Sequence, residues 1–165
     1  MIDRIPPRIA AALVVAVGVF ALAAAFAFQY IGGLAPCILC IWQRYPYGVV
    51  LALGIVALLL AGKPQAARAL IALAGIVFLA DAAIAAFHVG VEQKWWAGTA
   101  ECGGNLSTGV SAEDLKAQLL AAPVVRCDEV AWSLFGISMA GYNFLLAVVS
   151  GLVALAWAAL SRSVR

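Results

Sequence analysis

Four long apolar segments alternate with shorter polar ones along the chain. The first, from Ile9 to Phe28, contains no charged residue, and the second follows from about Tyr45 to Gly62. The third runs from about Ala69 to Val89, and Asp81 is its single charged residue. A fourth uncharged stretch extends from Ala131 to Ser161. Because a helix needs about 20 apolar residues to cross a bilayer, each segment predicts one membrane-spanning helix.

These segments predict an all-α membrane protein, a bundle of four transmembrane helices that forms one domain over residues 1–165. An open sheet is excluded because its edges would leave backbone groups unpaired in lipid. The first segment exceeds the roughly 7–15 apolar residues of a signal peptide, which favours a span. We expect the spans at about 9–28, 42–62, 68–89 and 138–160, with outward loops at about 29–41 and 90–137.

Within the longer loop, residues 111–123 predict a short amphipathic helix. Ser111 with Asp114 three positions later resembles a capping box, apolar leucines follow, and Pro123 ends the pattern. Such a helix would lie on the membrane or on the protein itself. The residues from Ala131 to Gly136 are expected along the membrane interface, ahead of the fourth span.

The composition narrows the classes of function. Hydrophobic residues make up 66% of the chain and charged residues 11%, against roughly 45–50% and 25% in soluble domains. These values exclude a disordered chain and argue against an ordinary soluble enzyme. The basic residues are scattered and the net charge is only +2, so nothing indicates nucleic-acid binding.

The basic residues also predict the orientation, since cytoplasmic loops are enriched in Lys and Arg. The side that carries both termini has six basic residues and one acid, whereas the other side has four basic residues and six acids. We therefore expect both termini inside and both loops outside. The basic residues are Arg4, Arg8, Lys63, Arg68, Arg162 and Arg165 on the inner side, and Arg44, Lys94, Lys116 and Arg126 on the outer side.

All four cysteines fall in or beside the two outward loops. Cys37 and Cys40 form a C-x-x-C motif at the approach to the second span, while Cys102 and Cys127 share the long loop. Disulfides persist in oxidising compartments, and the charge pattern independently assigns the cysteines to that side. Four cysteines allow three pairings, of which pairing within each loop is the simplest resting state.

Other uses of a C-x-x-C motif fit this sequence less well. A c-type haem site needs a histidine directly after the second cysteine, where Ile41 stands. A zinc site needs further close ligands, but the second pair is widely spaced and His88 is the single histidine, so we expect no metal. A thioredoxin fold needs βαβ units, which the pattern does not contain. Two inert structural disulfides remain an alternative.

Arg44 adds a second chemical feature to the C-x-x-C motif. It follows Cys40 by four positions, so both lie on the same helical face. Helix N-termini and nearby cations both favour a thiolate, which we expect at Cys40. A cation at membrane depth usually marks a functional site, and a snorkelling interfacial anchor is the alternative.

The segment Pro36-Cys37-Ile38-Leu39-Cys40-Ile41-Trp42-Gln43-Arg44 resembles the signature of the DsbB family. Its members are bacterial inner-membrane disulfide oxidases that pass electrons to quinone. The likeness extends over the chain, with four spans, a C-x-x-C motif before the second, and a cysteine pair in the second outward loop. The stretch from Trp132 to Ala140 is similar to the start of the family's last span. The vitamin K epoxide reductase family carries its motif on a later helix and fits less well.

The resemblance implies an electron route through the four cysteines. A reduced periplasmic thioredoxin-like protein, DsbA, would attack Cys102 of a Cys102–Cys127 disulfide. The freed Cys127 would attack Cys37, and Cys40 would leave as a thiolate and pass electrons to ubiquinone or menaquinone beside Arg44. The implied location is the bacterial inner membrane, with both termini cytoplasmic and all four cysteines periplasmic.

His88, at the outer end of the third span, matches a family histidine near the quinone. Asp81 precedes it by seven positions, on the same helical face and about 10 Å deeper, where it would relay protons or pair with a polar group between helices. Gln43 stands where some relatives carry an acid. Two classes of function remain, a quinone-linked thiol oxidase and a non-catalytic membrane scaffold stapled by two disulfides. They differ in whether the disulfides turn over and whether a quinone binds.

Overall fold

The computed structural model describes residues 5–103 and 125–161. Within these ranges, four helices are long and apolar enough to cross a membrane, as the sequence predicts. The amphipathic helix expected at 111–123 lies outside the described residues. The spans are α1 (Pro7–Tyr30), the pair α2 (Ile38–Trp42) and α3 (Arg44–Leu59), α4 (Pro64–Glu92) and α5 (Met139–Leu160).

Small residues allow the helices to approach closely. Helix α4 packs most extensively on α5 and also on α3, while α1 packs mainly on α3. A Cβ on Gly75 would lie 3.1 Å from the carbonyl oxygen of Gly151, and one on Gly151 would lie 3.0 Å from that of Gly75. Since lipid provides no hydrophobic drive between helices, this close packing holds α4 against α5.

Three aromatic side chains fill the main core between the alanine-rich helix faces. Tyr47 and Phe78 meet edge to face, with their ring centroids 6.0 Å apart. Trp157 donates its indole N–H to the carbonyl oxygen of Ile5 over 3.0 Å. This bond satisfies a buried polar group and ties the end of α5 to the residues before α1.

The second span is broken at Gln43, between α2 and α3. Pro46 has no N–H to donate to the carbonyl of Trp42 four residues earlier, and its ring crowds that carbonyl. Gln43 stands at the break and is buried, with 6% of its surface exposed. Helix α2 itself begins directly after Cys37, which is its N-cap residue.

The segment expected along the interface forms a small antiparallel hairpin, β1 (Ser133–Leu134) and β2 (Ile137–Ser138). Phe135 and Gly136 make its turn with φ values of 50° and 76°, the left-handed pair that is typical of a type I′ turn. Ser138 then caps α5 by accepting the N–H of Gly141 over 3.1 Å. Strands of two residues are too short to give a readable alternation in the sequence.

Candidate functional site

The two cysteine pairs meet in one buried cluster, with Leu39 and Val91 packed around them. Cys102 and Cys127 are joined by a disulfide, with their Cα atoms 5.1 Å apart. Cys37 and Cys40 are free thiols whose sulfur atoms lie 2.8 Å apart. The pairing expected within the long loop is therefore present, whereas Cys37 and Cys40 lie close together without a bond between them.

Hydrogen-bond donors converge on the sulfur of Cys37. It accepts the backbone N–H of Cys40 over 3.3 Å, lies 2.8 Å from the sulfur of Cys40, and lies 3.5 Å from Nε2 of His88. The thiol of Cys40 above all, and then His88, hold the pKa of Cys37 well below its usual range, although burial opposes this shift.

The expected thiolate at Cys40 therefore needs correction, because the contacts that stabilise a thiolate are on Cys37. The physical reason is the start of helix α2. Since the helix begins at Ile38, its first free N–H groups point back to Cys37 and not to Cys40.

His88 connects the cysteines to helix α4, and only 4% of its surface is exposed. Its Nδ1 lies 2.9 Å from Nε2 of Gln43, and its Nε2 lies 4.0 Å from Oε1 of Glu92 as well as facing Cys37. Ser138 donates its hydroxyl to the other carboxylate oxygen of Glu92. The hairpin and α4 thus hold a buried carboxylate beside the imidazole.

A polar network continues from Gln43 into the bundle. Asn143 of α5 donates one amide N–H to Oε1 of Gln43 over 2.7 Å and the other to Oδ2 of Asp81 over 3.0 Å. Tyr47 donates its hydroxyl to Oδ1 of Asn143 over 2.5 Å. Asp81 is fully buried. Of the two roles considered for it, the structure shows pairing with a polar group between helices, namely the amide of Asn143.

A cavity of about 650 Å³ opens beside the C-x-x-C motif. Its wall is mostly apolar and is formed largely by side chains of α1 and α5. Such a volume with a few polar groups in an apolar wall is typical of small-molecule sites. The polar lining residues include Cys37, Cys40, Gln43, Arg44, His88, Glu92 and Asn143.

Arg44 faces this cavity from the start of α3 and is held by α1. Its Nη1 donates to Oε1 of Gln29 over 2.6 Å, and its guanidinium lies 5.0 Å from the centroid of the Phe26 ring. Its Nε is buried and has no hydrogen-bond partner among the described residues. An unpaired buried donor is costly, and an acceptor oxygen in the cavity would satisfy it.

The residues Cys37, Cys40 and His88 also bring three metal-binding atoms within 4.8 Å of one another. Two thiolates on one zinc ion would be about 3.8 Å apart, given Zn–S bonds of about 2.3 Å at a tetrahedral angle. The observed sulfur atoms, 2.8 Å apart, are closer than that. Their spacing suits the formation of a disulfide, so dithiol chemistry fits the site better than a metal.

The structure brings the six predicted site residues into one region. Cys37, Cys40, Arg44 and His88 line the cavity, and the Cys102–Cys127 disulfide lies in the same buried cluster as Cys37. Sequence reasoning missed four members of the polar network, Tyr47, Glu92, Ser138 and Asn143. Asn143 carried a usable signal, since a side-chain amide in an apolar span needs a partner. Glu92 and Ser138 carried no such signal, because their position at a helix end and in a loop is ordinary for polar residues.

Comparisons with known proteins agree with this geometry. The family described as "Disulfide bond formation protein DsbB" matches residues 7–157. An uncharacterised protein of Rickettsia prowazekii (strain Madrid E) is 27% identical over 136 residues, which is 81% of this chain and 77% of that protein. No solved structure matches the chain significantly.

The chain therefore belongs to the DsbB family of disulfide bond formation proteins, which confirms the resemblance found in the sequence. Together with its four apolar helices, this membership makes it a multi-pass membrane protein with thiol–disulfide oxidoreductase chemistry.

Proposed function

We propose that this DsbB family member is a quinone-dependent thiol oxidase that reoxidises a periplasmic, DsbA-like thioredoxin protein. The observation that carries the proposal is that a dithiol and an arginine N–H without a partner among the described residues line one apolar cavity, while a disulfide lies in the same buried cluster as the dithiol. Electrons from the partner would arrive at the disulfide, pass to the C-x-x-C pair, and leave to an apolar acceptor.

The exchange begins when a thiolate of the partner attacks Cys102, which forms a mixed disulfide and releases Cys127 as a thiolate. Cys127 then attacks Cys37 of a Cys37–Cys40 disulfide and releases Cys40. The partner's second thiolate attacks the mixed disulfide, which oxidises the partner and releases Cys102. Cys102 then attacks Cys127 of the Cys127–Cys37 disulfide and releases Cys37 as a thiolate. Two electrons and two protons have then moved from the partner to the Cys37–Cys40 pair, and the packing of Cys37 with both long-loop cysteines supports this route.

The stabilised sulfur of Cys37 supports this direction of electron flow. Donors that lower the pKa of Cys37 stabilise the dithiol relative to the disulfide. A disulfide whose reduced form is stabilised is a stronger oxidant. The Cys37–Cys40 disulfide would therefore draw electrons from the Cys102–Cys127 pair.

Ubiquinone or menaquinone would supply a two-electron acceptor in the cavity. The residues fit such a group, because the wall is apolar and the buried Nε–H of Arg44 has no partner among the described residues. Arg44 would donate to a quinone oxygen and stabilise negative charge as it develops there. His88 would be the second residue that binds the quinone, and the sulfur of Cys40 would pass on the electrons.

The proposal includes the membrane orientation. We place residues 1–165 as one domain in the bacterial inner membrane, with both termini in the cytoplasm and both cysteine pairs in the periplasm. The split of basic residues between the two sides supports this orientation, and the packing of both pairs in a single cluster supports their location on the same side.

The direct test uses purified protein in detergent micelles with an excess of reduced DsbA-like protein and a water-soluble quinone. We expect continuous thiol loss over many turnovers, with one quinone reduced for every two thiols. Cys40→Ser and Cys102→Ser should each abolish turnover. A single stoichiometric exchange without quinone reduction would indicate the alternative, a scaffold with structural disulfides.

A further inference from the structure

The amide of Gln43 determines which nitrogen of His88 carries the proton. The carbonyl of Leu39 only accepts hydrogen bonds and lies 2.9 Å from Nε2 of Gln43, so the amino group of the amide occupies this end. The same Nε2 lies 2.9 Å from Nδ1 of His88. Its second hydrogen is donated to Nδ1, which is then the unprotonated nitrogen of a neutral ring.

The other end of Gln43 is fixed independently. Its Oε1 needs a donor and lies 2.7 Å from Nδ2 of Asn143. The second N–H of Asn143 is donated to Oδ2 of Asp81 over 3.0 Å, and the hydroxyl of Tyr47 is donated to Oδ1 of Asn143. Each hydrogen bond in this series has only one possible direction, so both amides have a single orientation.

The chemical groups of Gln43, Asn143 and Asp81 indicate whether their hydrogen bonds carry protons or only fix orientation. A side-chain amide does not release a proton at neutral pH, so Gln43 and Asn143 cannot relay protons as water or imidazole would. They can, however, transmit orientation, because each amide places a donor at one end and an acceptor at the other. The consequence at the site is a fixed proton on Nε2 of His88, the nitrogen 3.5 Å from the sulfur of Cys37.

We propose that Asp81, Asn143 and Gln43 are positioning residues that fix the Nε2–H tautomer of His88 and aim this proton at the sulfur of Cys37. The effect on turnover rests on the proposed function, whereas the tautomer itself depends on neither the partner nor the quinone. A permanent donor at Nε2 stabilises negative charge on Cys37 whenever the C-x-x-C pair is reduced.

Several titratable groups face Cys37 and enter any measurement of its reactivity. Cys40 of α2 and His88 of α4 favour the thiolate, and Glu92 of α4 opposes it. Arg126 and Glu129, which flank Cys127, line the same cavity. Of these contacts, only the one with His88 depends on the side-chain amides of Gln43 and Asn143. Substitutions at these two residues therefore separate the effect of His88 on Cys37 from the effects of the other groups.

The chain contains a single histidine, so labelling with [15N]histidine reports one ring without assignment. In the reduced protein in micelles at neutral pH, we expect a protonated Nε2 and an unprotonated Nδ1, read from nitrogen shifts and one-bond N–H couplings. Gln43→Met keeps the side-chain size but removes the N–H, and should give a mixture of tautomers. Gln65→Met, at an exposed glutamine at the start of α4, is the matched control and should leave the ring unchanged.

A proton on Nδ1 of the wild-type ring, alone or together with one on Nε2, would overturn the proposal. An unchanged tautomer in Gln43→Met would overturn it as well. Failure of the wild-type protein to reduce quinone would contradict the proposed function and leave the tautomer result standing.

Asp81 has a test of its own. Asp81→Asn keeps an acceptor oxygen for Asn143 but removes the titratable group, and should retain the tautomer and turnover within about twofold. Asp81→Leu removes the acceptor, and should give mixed tautomers and about tenfold slower alkylation of Cys37 at neutral pH. Loss of turnover in Asp81→Asn with an intact tautomer would instead make Asp81 a proton carrier.

Discussion

Nδ1 of His88 lies 2.9 Å from the side-chain nitrogen of Gln43, although 45 positions separate the two residues in the chain. This contact joins the broken second span to α4. It links the C-x-x-C motif to Asn143 and Asp81, which lie deeper in the bundle. The reactive cysteines are therefore supported by a polar series that extends from the end of the bundle into its interior.

The topology can be tested with the cysteines themselves. We expect an impermeant thiol reagent to label Cys37, Cys40, Cys102 and Cys127 in reduced, intact spheroplasts, because the charge distribution assigns them to the outer side. The partly exposed Cys40 should react before the three buried cysteines. Labelling that requires lysis would show that the orientation is inverted.

The order of thiol exchange predicts a trapped complex. Cys127→Ser leaves Cys102 as a free thiol, so its thiolate should attack the disulfide of the oxidised periplasmic partner and release one partner thiolate. The resulting mixed disulfide should accumulate, because the Cys127 thiol that would break it is absent. Non-reducing gels with mass spectrometry would identify the bond. A trap that forms only in Cys102→Ser would mean that the two roles are reversed.

Arg44→Ala should slow quinone reduction because it removes the buried Nε–H that has no partner among the described residues. Loss of one donor where charge develops typically costs about 2.7–4 kcal/mol, so a rate loss of about 100-fold is the upper expectation in a partly wet site. Stopped-flow measurements with a soluble quinone would give the rate. Arg44→Lys should recover part of it, since the charge remains while the planar fork is lost.

Two further measurements make the Arg44 result specific. Exchange between Cys102 and the partner should continue in Arg44→Ala, since that step takes place at the other cysteine pair. Arg68→Ala is the matched control, because Arg68 bonds the carbonyl of Ser161 and faces a separate cavity. If Arg44→Ala reduces quinone with the wild-type rate and affinity, Arg44 is only an interfacial anchor.

The lowered pKa of Cys37 predicts a pH dependence with a definite sign. The folded pKa lies below the unfolded one, which is about 8.5 for an ordinary thiol. The stabilisation is therefore fully present above the unfolded pKa and is lost as the pH falls through the folded pKa. The reduced wild-type protein should lose stability relative to reduced Cys37→Ser on acidification.

The same shift should appear in reactivity. Alkylation of Cys37 by iodoacetamide, followed by peptide mass spectrometry, should stay near its plateau at about pH 6, where an ordinary thiol is largely protonated. A rate that falls tenfold for each pH unit below about 8.5 would contradict the assignment of the thiolate to Cys37.

The close packing of α4 on α5 predicts a large effect at Gly151. Gly151→Val should lower the free energy of unfolding by about 1–3 kcal/mol, because a Cβ there would meet Leu79 at 2.8 Å and the carbonyl of Gly75 at 3.0 Å. Gly48→Val is the matched control, since a Cβ at Gly48 has no atom within 4 Å. Thermal unfolding in detergent compares the two, and equal losses would mean that this contact does not hold the helices together.

The sequence reasoning failed where the outcome depended on where one helix starts. The position of Arg44 four residues after Cys40 favours a thiolate at Cys40. The backbone N–H groups that stabilise a thiolate, however, belong to the first turn of α2. Because α2 begins at Ile38, Cys37 receives them. The hairpin before α5 was missed for a related reason, since its pairing of Ser133 with Ser138 is a matter of turn geometry.

The sequence by itself determined the four helical spans, because a single long apolar segment can satisfy its own backbone in lipid only as a helix. It also determined the family and the choice of the four cysteines, Arg44 and His88 as candidate site residues, since motif and spacing are local properties. Only the tertiary structure decided which groups surround them. Gln43, Asp81 and Asn143 lie on three different spans, and hydrogen bonds between distant segments depend on how the helices pack, which no local pattern records.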